Sequence, residues 1–200
     1  MIDLRRRRAI RSAGYAAVAL ALWSCTKNRE PFLATDITGV DWGRDFRLTD
    51  HNGRPHRLAD FRGKAVMLFF GYTHCPDACP TTLAKIAQAV ERLGKDGKRV
   101  QGLFVTLDPR RDTQDVLAQY VPAFHPSFIG LRGSEAEVAR TAQDFKVFFA
   151  LQRPDESGFY TVDHTAAIFA FDPQGRLRLH INAASDPDAI VHDLRLLLRQ

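Results

Sequence analysis

The stretch Ala65-Val66-Met67-Leu68-Phe69-Phe70-Gly71-Tyr72-Thr73-His74-Cys75-Pro76-Asp77-Ala78-Cys79-Pro80-Thr81-Thr82-Leu83 decides the fold. From Ala65 to Phe70 every residue is apolar, a run of strand length that marks a strand covered on both faces. Gly71 to Cys75 breaks the run, and from about Pro80 the residues Leu83, Ile86, Ala87, Val90 and Leu93 recur at helical spacing. Strand, loop and helix in that order put two cysteines at the carboxyl end of a buried strand, where open α/β sheets place their sites.

Downstream, Val100 to Leu107 reads as a second buried strand, and Asp112-Thr113 opens a helix through Val116, Leu117 and Tyr120. Phe128 to Leu131 is a short strand, and Ser134 with Glu137 forms a capping box ahead of a helix reaching about Phe145. Tyr160-Thr161-Val162 leads into Asp163-His164. Ala166 to Phe171 and Arg176 to Ile181 make a hairpin about Asp172-Pro173-Gln174-Gly175, and Asp186-Pro187 starts an amphipathic helix carrying Ile190, Leu194 and Leu197. Upstream, Phe46–Leu48 and His56–Leu58 flank the hairpin turn Asn52-Gly53. The expected fold is α/β and thioredoxin-like, with a central mixed sheet flanked by helices and an N-terminal β-hairpin. The element order alone is shared with flavodoxin-like folds.

Two hundred residues suffice for one core plus a leader, and 45% hydrophobic with 26% charged residues describes a packed globule. The net charge is +5, but residues 1–25 hold Arg5, Arg6, Arg7, Arg8 and Arg11 against Asp3, a net +4, which leaves +1 on the remainder. The other basic residues are scattered and follow no nucleic-acid-binding pattern, which argues against such a partner. After the arginines come an apolar stretch from Ala13 to Trp23 and then Ser24-Cys25, the layout of an export signal. As a helix, Ala13 to Cys25 would be about 20 Å long, short of the roughly 30 Å hydrocarbon core. Leu22-Trp23-Ser24-Cys25 resembles a bacterial lipobox, whose cysteine is acylated. The organisation expected is an export signal over 1–25, a linker over 26–39 and one domain over 40–200. It would sit in the bacterial cell envelope at the periplasmic face of the inner membrane, tethered through lipid on Cys25.

Lipidation of Cys25 leaves Cys75 and Cys79 as a pair. At the entry to a helix the amide dipoles favour both thiolates, and four-residue spacing on one helical face suits a disulfide or the grip of one ion. An inert staple across so short a loop gains little entropy, so redox exchange and metal binding are favoured over a structural disulfide. Among the histidines, His51 and His56 flank a surface turn, His125 precedes Pro126 in a loop, and His180 and His192 lie late in exposed-looking positions; all read as solvated. His74 adjoins Cys75, but its side chain need not point the same way. His164 differs. In a thioredoxin-like arrangement the junction before Ala166 lies beside the cysteine loop and usually carries a proline, which is absent here. An imidazole there would face both sulfurs, with Asp163 as the acceptor that orients it. Two thiolates and one imidazole favour Cu(I) and accommodate Cu(II), whereas structural zinc asks for four protein ligands.

The sequence resembles the Sco/SenC family of copper-binding proteins for cytochrome c oxidase assembly. The matching blocks are Asp60-Phe61-Arg62-Gly63-Lys64, Phe69 to Leu83, Thr106-Leu107-Asp108-Pro109-Arg110-Arg111-Asp112-Thr113 and Val162-Asp163-His164-Thr165, within a likeness spanning about residues 40–198. The resemblance implies tethering on the outer face of a membrane and copper held by Cys75, Cys79 and His164. It also implies delivery to the binuclear copper centre of oxidase subunit II, or reduction of that subunit's cysteines before loading. Asp108 matches a position near the site, where it acts by charge or hydrogen bonding, or else caps the loop before Arg110. Lipidated Cys25 would replace the family's usual transmembrane anchor, and a second copper chaperone or a thioredoxin-like reductant would be further partners. A function of another class uses the same residues: a thiol-disulfide oxidoreductase in which Cys75 attacks, Cys79 resolves and His164 tunes the thiolate. A peroxidase would require threonine where Tyr72 stands.

Overall fold

This computed structural model describes residues 30–200, so the stretch read as an export signal, with Cys25, lies outside the described residues. In chain order the elements are β1 (Thr35–Asp36), β2 (Leu48–Asp50), β3 (Pro55–His56), β4 (Ala65–Gly71), α1 (Ala78–Arg92), β5 (Val100–Thr106) and α2 (Gln114–Tyr120). They continue with β6 (Ile129–Arg132), α3 (Glu135–Asp144), β7 (Phe149–Leu151), β8 (Val162–His164), β9 (Ala167–Phe171), β10 (Leu177–Asn182) and α4 (Pro187–Leu198). One sheet runs β1-β10-β9-β4-β5-β6-β2-β3, and β7 with β8 forms a separate two-stranded ribbon. β5 is parallel to β4 and β6, while the remaining neighbours are antiparallel. This is the mixed thioredoxin-like sheet expected, with the N-terminal hairpin β2–β3 added at its far edge.

The unbroken apolar run is buried because β4 sits between β5 and β9 and is covered on both faces; each of its residues is buried. Phe69 and Phe70 are fully enclosed, each contributing about 1.5–3 kcal/mol by leaving water. Phe70 meets Phe145 and Phe169 with ring centroids 5.4 and 6.1 Å apart, tying β4 to the end of α3 and to β9. α1 packs against α4, and Arg92 donates to Asp188 across that contact at 2.6 Å. The capping box at Ser134 forms as read, with Ser134 and Glu137 bonded reciprocally, and Asp186 caps α4 ahead of Pro187.

Three local features depart from the sequence reading. α1 begins at Ala78 rather than near Pro80, because a proline in the first turn lacks only an N–H that would have no intrahelical partner. β7 is unannounced: Phe149–Leu151 stays half-exposed and pairs with β8 alone, so it carries no core-facing alternation. Within the stretch read as linker, Thr35–Asp36 adds an edge strand on β10, and Leu33 and Ala34 donate their N–H groups to buried Asp193 of α4, both at 2.8 Å.

After α3 the chain turns through Lys146 at φ 57°, with its N–H on the Gln143 carbonyl and that of Val147 on the Ala142 carbonyl. A side chain is strained in this left-handed conformation. Lys146→Gly is expected to stabilise the domain by about 1 kcal/mol in urea unfolding.

Candidate metal centre

The chain leaves β4 at Gly71 and folds back before entering α1. Cys79, in the first turn of α1, is wholly buried, whereas Cys75 in the preceding loop is half-buried; both are free thiols. A Cβ on residue 71 would stand 2.9 Å from Cys79 Sγ and 2.9 Å from the Phe104 ring, so only glycine lets that sulfur lie against the strand end. The Cys79 N–H points at Cys75 Sγ at 3.4 Å. The two sulfurs therefore meet because the loop returns over the helix start, and not because both ride one helical face.

The sulfurs differ in their hold on a proton. Burial pushes the Cys75 thiol up, but the N–H groups of Cys79, Asp77 and Ala78, together with the Cys79 thiol, outweigh it and bring its pKa below the ordinary thiol value. Burial pushes Cys79 far up; the Tyr72 N–H opposes this, and negative charge on Cys75 and Asp112 adds to it. The expectation that both thiolates are favoured thus holds for Cys75 alone, since the helix-start amides converge on its sulfur.

His164, at the end of β8, brings Nε2 to 3.6 Å from Cys79 Sγ. Its Nδ1 lies 3.0 Å from the Thr165 carbonyl. A carbonyl can only accept, so Nδ1 carries the hydrogen and Nε2 presents its lone pair to the sulfur. Phe69 and Tyr72 meet the ring edge-on, each with centroids 6.2 Å away. Burial lowers the His164 pKa against the opposing pull of the Thr165 carbonyl and the Asp163 charge, which keeps the ring neutral. The Tyr72 hydroxyl takes the Val162 N–H and also bonds Cys75, linking the cysteine loop to β8.

The surrounding acids correct and extend the sequence reading. Asp163 does not hold the imidazole: its carboxylate accepts from Gln152 Nε2 at 2.5 Å and reaches His164 by charge only, because the Thr165 carbonyl already occupies Nδ1. Asp108, fully buried, binds the Arg111 guanidinium, accepts from the Tyr160 hydroxyl at 3.0 Å and takes the Arg111 N–H at 3.4 Å. It thus caps its loop and organises Arg111 and Tyr160. Asp112 is the residue the sequence reading missed, taking it only for a helix opener. Wholly buried, it accepts from Thr73 N at 3.0 Å, Thr73 Oγ1 at 2.6 Å and Thr106 Oγ1 at 2.5 Å, pinning the cysteine loop to the end of β5. The available signal was a threonine just after each of two adjacent parallel strands or at its end, beside one carboxylate.

His74 turns its Nδ1 to Thr73 Oγ1 at 3.0 Å, beside Asp112. The other histidines are not solvated as expected but half-buried, because local partners hold them. His51 accepts from the Gly130 N–H, His56 lies 3.1 Å from Asp50 and stacks on Phe61, His125 bonds Ser127, His180 packs on Phe169, and His192 lies 3.0 Å from Asp193. Among the described residues, no three Cys, His, Asp or Glu side chains are already drawn together enough to hold a metal ion. Cys75, Cys79 and His164 form a pairwise chain of contacts instead. Among the described residues no helix is long and apolar enough to cross a membrane.

Residues 35–199 match the family model described as SCO1/SenC. The chain belongs to the SCO1/SenC family. A mitochondrial SCO2 homolog of Mus musculus is 40% identical over 153 residues, covering 76% of this chain and 60% of that protein. The chain therefore spans about 60% of the length of that relative. The copper-bound ScoI structure of Bradyrhizobium japonicum superposes with TM-score 0.69 at 38% identity, covering 76% of this chain and 96% of that one. Apo Sco1 of Thermus thermophilus gives 0.75 at 42% identity, with 84% and 97% covered. BsSco, described as a member of the Sco family of cytochrome c oxidase assembly proteins, superposes with TM-score 0.63 at 20% identity, a likeness of fold alone.

For this Sco domain the split between the thiols has a direct readout. Iodoacetamide is expected to modify Cys75 first, at a rate that rises with pH through a midpoint below the ordinary thiol value, while Cys79 stays unmodified until the protein unfolds. Peptide mass spectrometry of the reduced chain measures both. Gly71→Ala should displace Cys79 Sγ, lower stability by about 1–3 kcal/mol and open Cys79 to the reagent.

Proposed function

We propose that this chain is a copper metallochaperone of the bacterial cell envelope, tethered through Cys25. It would take up one copper ion on Cys75, Cys79 and His164 and deliver it to the binuclear copper centre of cytochrome c oxidase subunit II. The observation that carries this reading is the His164 lone pair, aimed at Cys79 Sγ from 3.6 Å. For bonds of about 2.3 Å to sulfur and 2.0 Å to nitrogen, two ligand atoms of one tetrahedral ion lie about 3.5 Å apart, so this pair needs little adjustment. Cys75, already inclined to ionise, would complete the set by bringing its sulfur to the same ion. Two sulfurs and one imidazole suit copper in either oxidation state, and a three-ligand site leaves a side open to the acceptor. Copper here is cargo, and Cys79 must surrender its proton to receive it.

A second reading, a thiol-disulfide oxidoreductase, is favoured by the same asymmetry. The Cys75 thiolate would attack a disulfide of subunit II, forming a mixed disulfide and releasing one thiolate. Deprotonated Cys79 would then displace the partner's second sulfur, leaving the partner reduced and Cys75–Cys79 oxidised. A thioredoxin-like reductant would restore the pair, as a second copper chaperone would supply the metal on the first reading.

Titrating the reduced chain with Cu(I) separates the two. One ion per chain is expected, lost in Cys75→Ser and Cys79→Ser and weakened at least about tenfold in His164→Ala. Proton release, measured in buffers of differing ionisation enthalpy, should fall from about two toward about one per ion as pH rises through the lowered Cys75 pKa. Unchanged Cu(I) affinity in His164→Ala, with disulfide exchange intact, would exclude the three-ligand site.

A further inference from the structure

His164 is carried on the β7–β8 ribbon and not on the main sheet, and a ribbon of two strands is marginal by itself. Arg111, from the loop after β5, reaches across to this ribbon. Its guanidinium lies over the Tyr160 ring at 3.5 Å from the centroid, Nη1 donates to the Tyr160 carbonyl at 2.8 Å, and Asp108 pairs with Nε. The Tyr160 hydroxyl closes the circuit on Asp108 at 3.0 Å. The same guanidinium lies 5.7 Å from the Tyr72 ring of the cysteine loop. Tyr160 leads directly into β8, so whatever fixes Tyr160 fixes the approach of His164.

We propose that Arg111 is the positioning residue of the metal centre, a latch joining Asp108 to Tyr160 that holds His164 over the sulfurs and whose opening lets the imidazole leave. The latch is imperfect in a way that suits release. Arg111 Nη2 is buried with no hydrogen-bond partner, a donor that regains water when the ribbon lifts. Closure is therefore opposed by one unmet hydrogen bond, and the open form is within reach. Arg111 itself touches no cargo.

The consequence for copper rests on the proposed function, but the latch can be tested without metal. In the reduced apo chain, Arg111→Met should speed hydrogen exchange across residues 158–165 about tenfold while leaving β4 and β5 protected. In copper-loaded protein it should speed Cu(I) transfer to the chelator bicinchoninate by a similar factor, and it should add nothing in a His164→Ala background, because the effect passes through that imidazole. Unchanged exchange over 158–165, or an equal acceleration of transfer in the His164→Ala background, overturns the proposal. Should wild-type protein bind no copper, the chaperone reading falls and the exchange experiment still judges the latch. If Arg111→Met loses protection throughout the sheet, Tyr160→Ala decides: local opening at 158–165 supports the latch and its absence refutes it.

Discussion

Residue 71 has no side chain, and the chemistry of the site follows from that absence. Because β4 ends in glycine, the Cys79 sulfur can settle against the strand and the Phe104 ring, sealed from water. Burial then makes Cys79 hold its proton, while the helix-start amides gather on Cys75 and favour its ionisation. Two chemically identical side chains become one thiolate and one thiol. The parallel pairing of β4 with β5 supports this arrangement, since the register that sets Gly71 opposite Thr106 also lets Asp112 bond both Thr106 and Thr73. The loop is thereby fixed at its start, and Cys75 has a defined position over the helix.

A protonated, buried sulfur bears on the choice of ion. Any metal entering must displace the Cys79 proton, so it must bind thiolate strongly enough to compete; hard cations such as magnesium or calcium, which seek oxygen, do not. The imidazole adds no such barrier, because burial lowers its pKa and Nδ1 already carries the hydrogen, which leaves the Nε2 lone pair to the ion. On the proposed reading, the site discriminates by the proton it keeps as much as by the ligands it offers.

The sheet, the hairpins and the placement of Cys75 and Cys79 were legible because each rests on a local signal: a continuous apolar run, a turn dipeptide, or cysteines at a strand-to-helix junction. His164 was legible only through the fold, since its sulfur partner lies 85 positions away. What stayed hidden depends on contacts between loops. Asp112 looks like any acid before a helix until Thr106 at the end of β5 and Thr73 in the loop after β4 are brought to it. The orienting of His164 by the Thr165 carbonyl, where Asp163 was expected, depends on how the chain turns out of β8, and no residue type announces a backbone acceptor. The half-buried histidines were misread for a related reason: a polar ring in a surface turn is buried when one aromatic neighbour lies beneath it, as Phe61 lies beneath His56.

On the proposed reading, the division of the donors between two kinds of scaffold would let one pocket both hold and give up an ion. Cys79 belongs to the core and cannot move without disturbing β4 and α1. Cys75 sits on a loop pinned by Asp112. His164 rides on a ribbon bound to the body through Tyr72 and Arg111, the latter with a donor left unmet. Lifting the ribbon frees one ligand at the expense of a few hydrogen bonds, whereas withdrawing Cys79 would open the core. Exchange with an acceptor would therefore begin at the imidazole, and the sulfurs would part with the ion last.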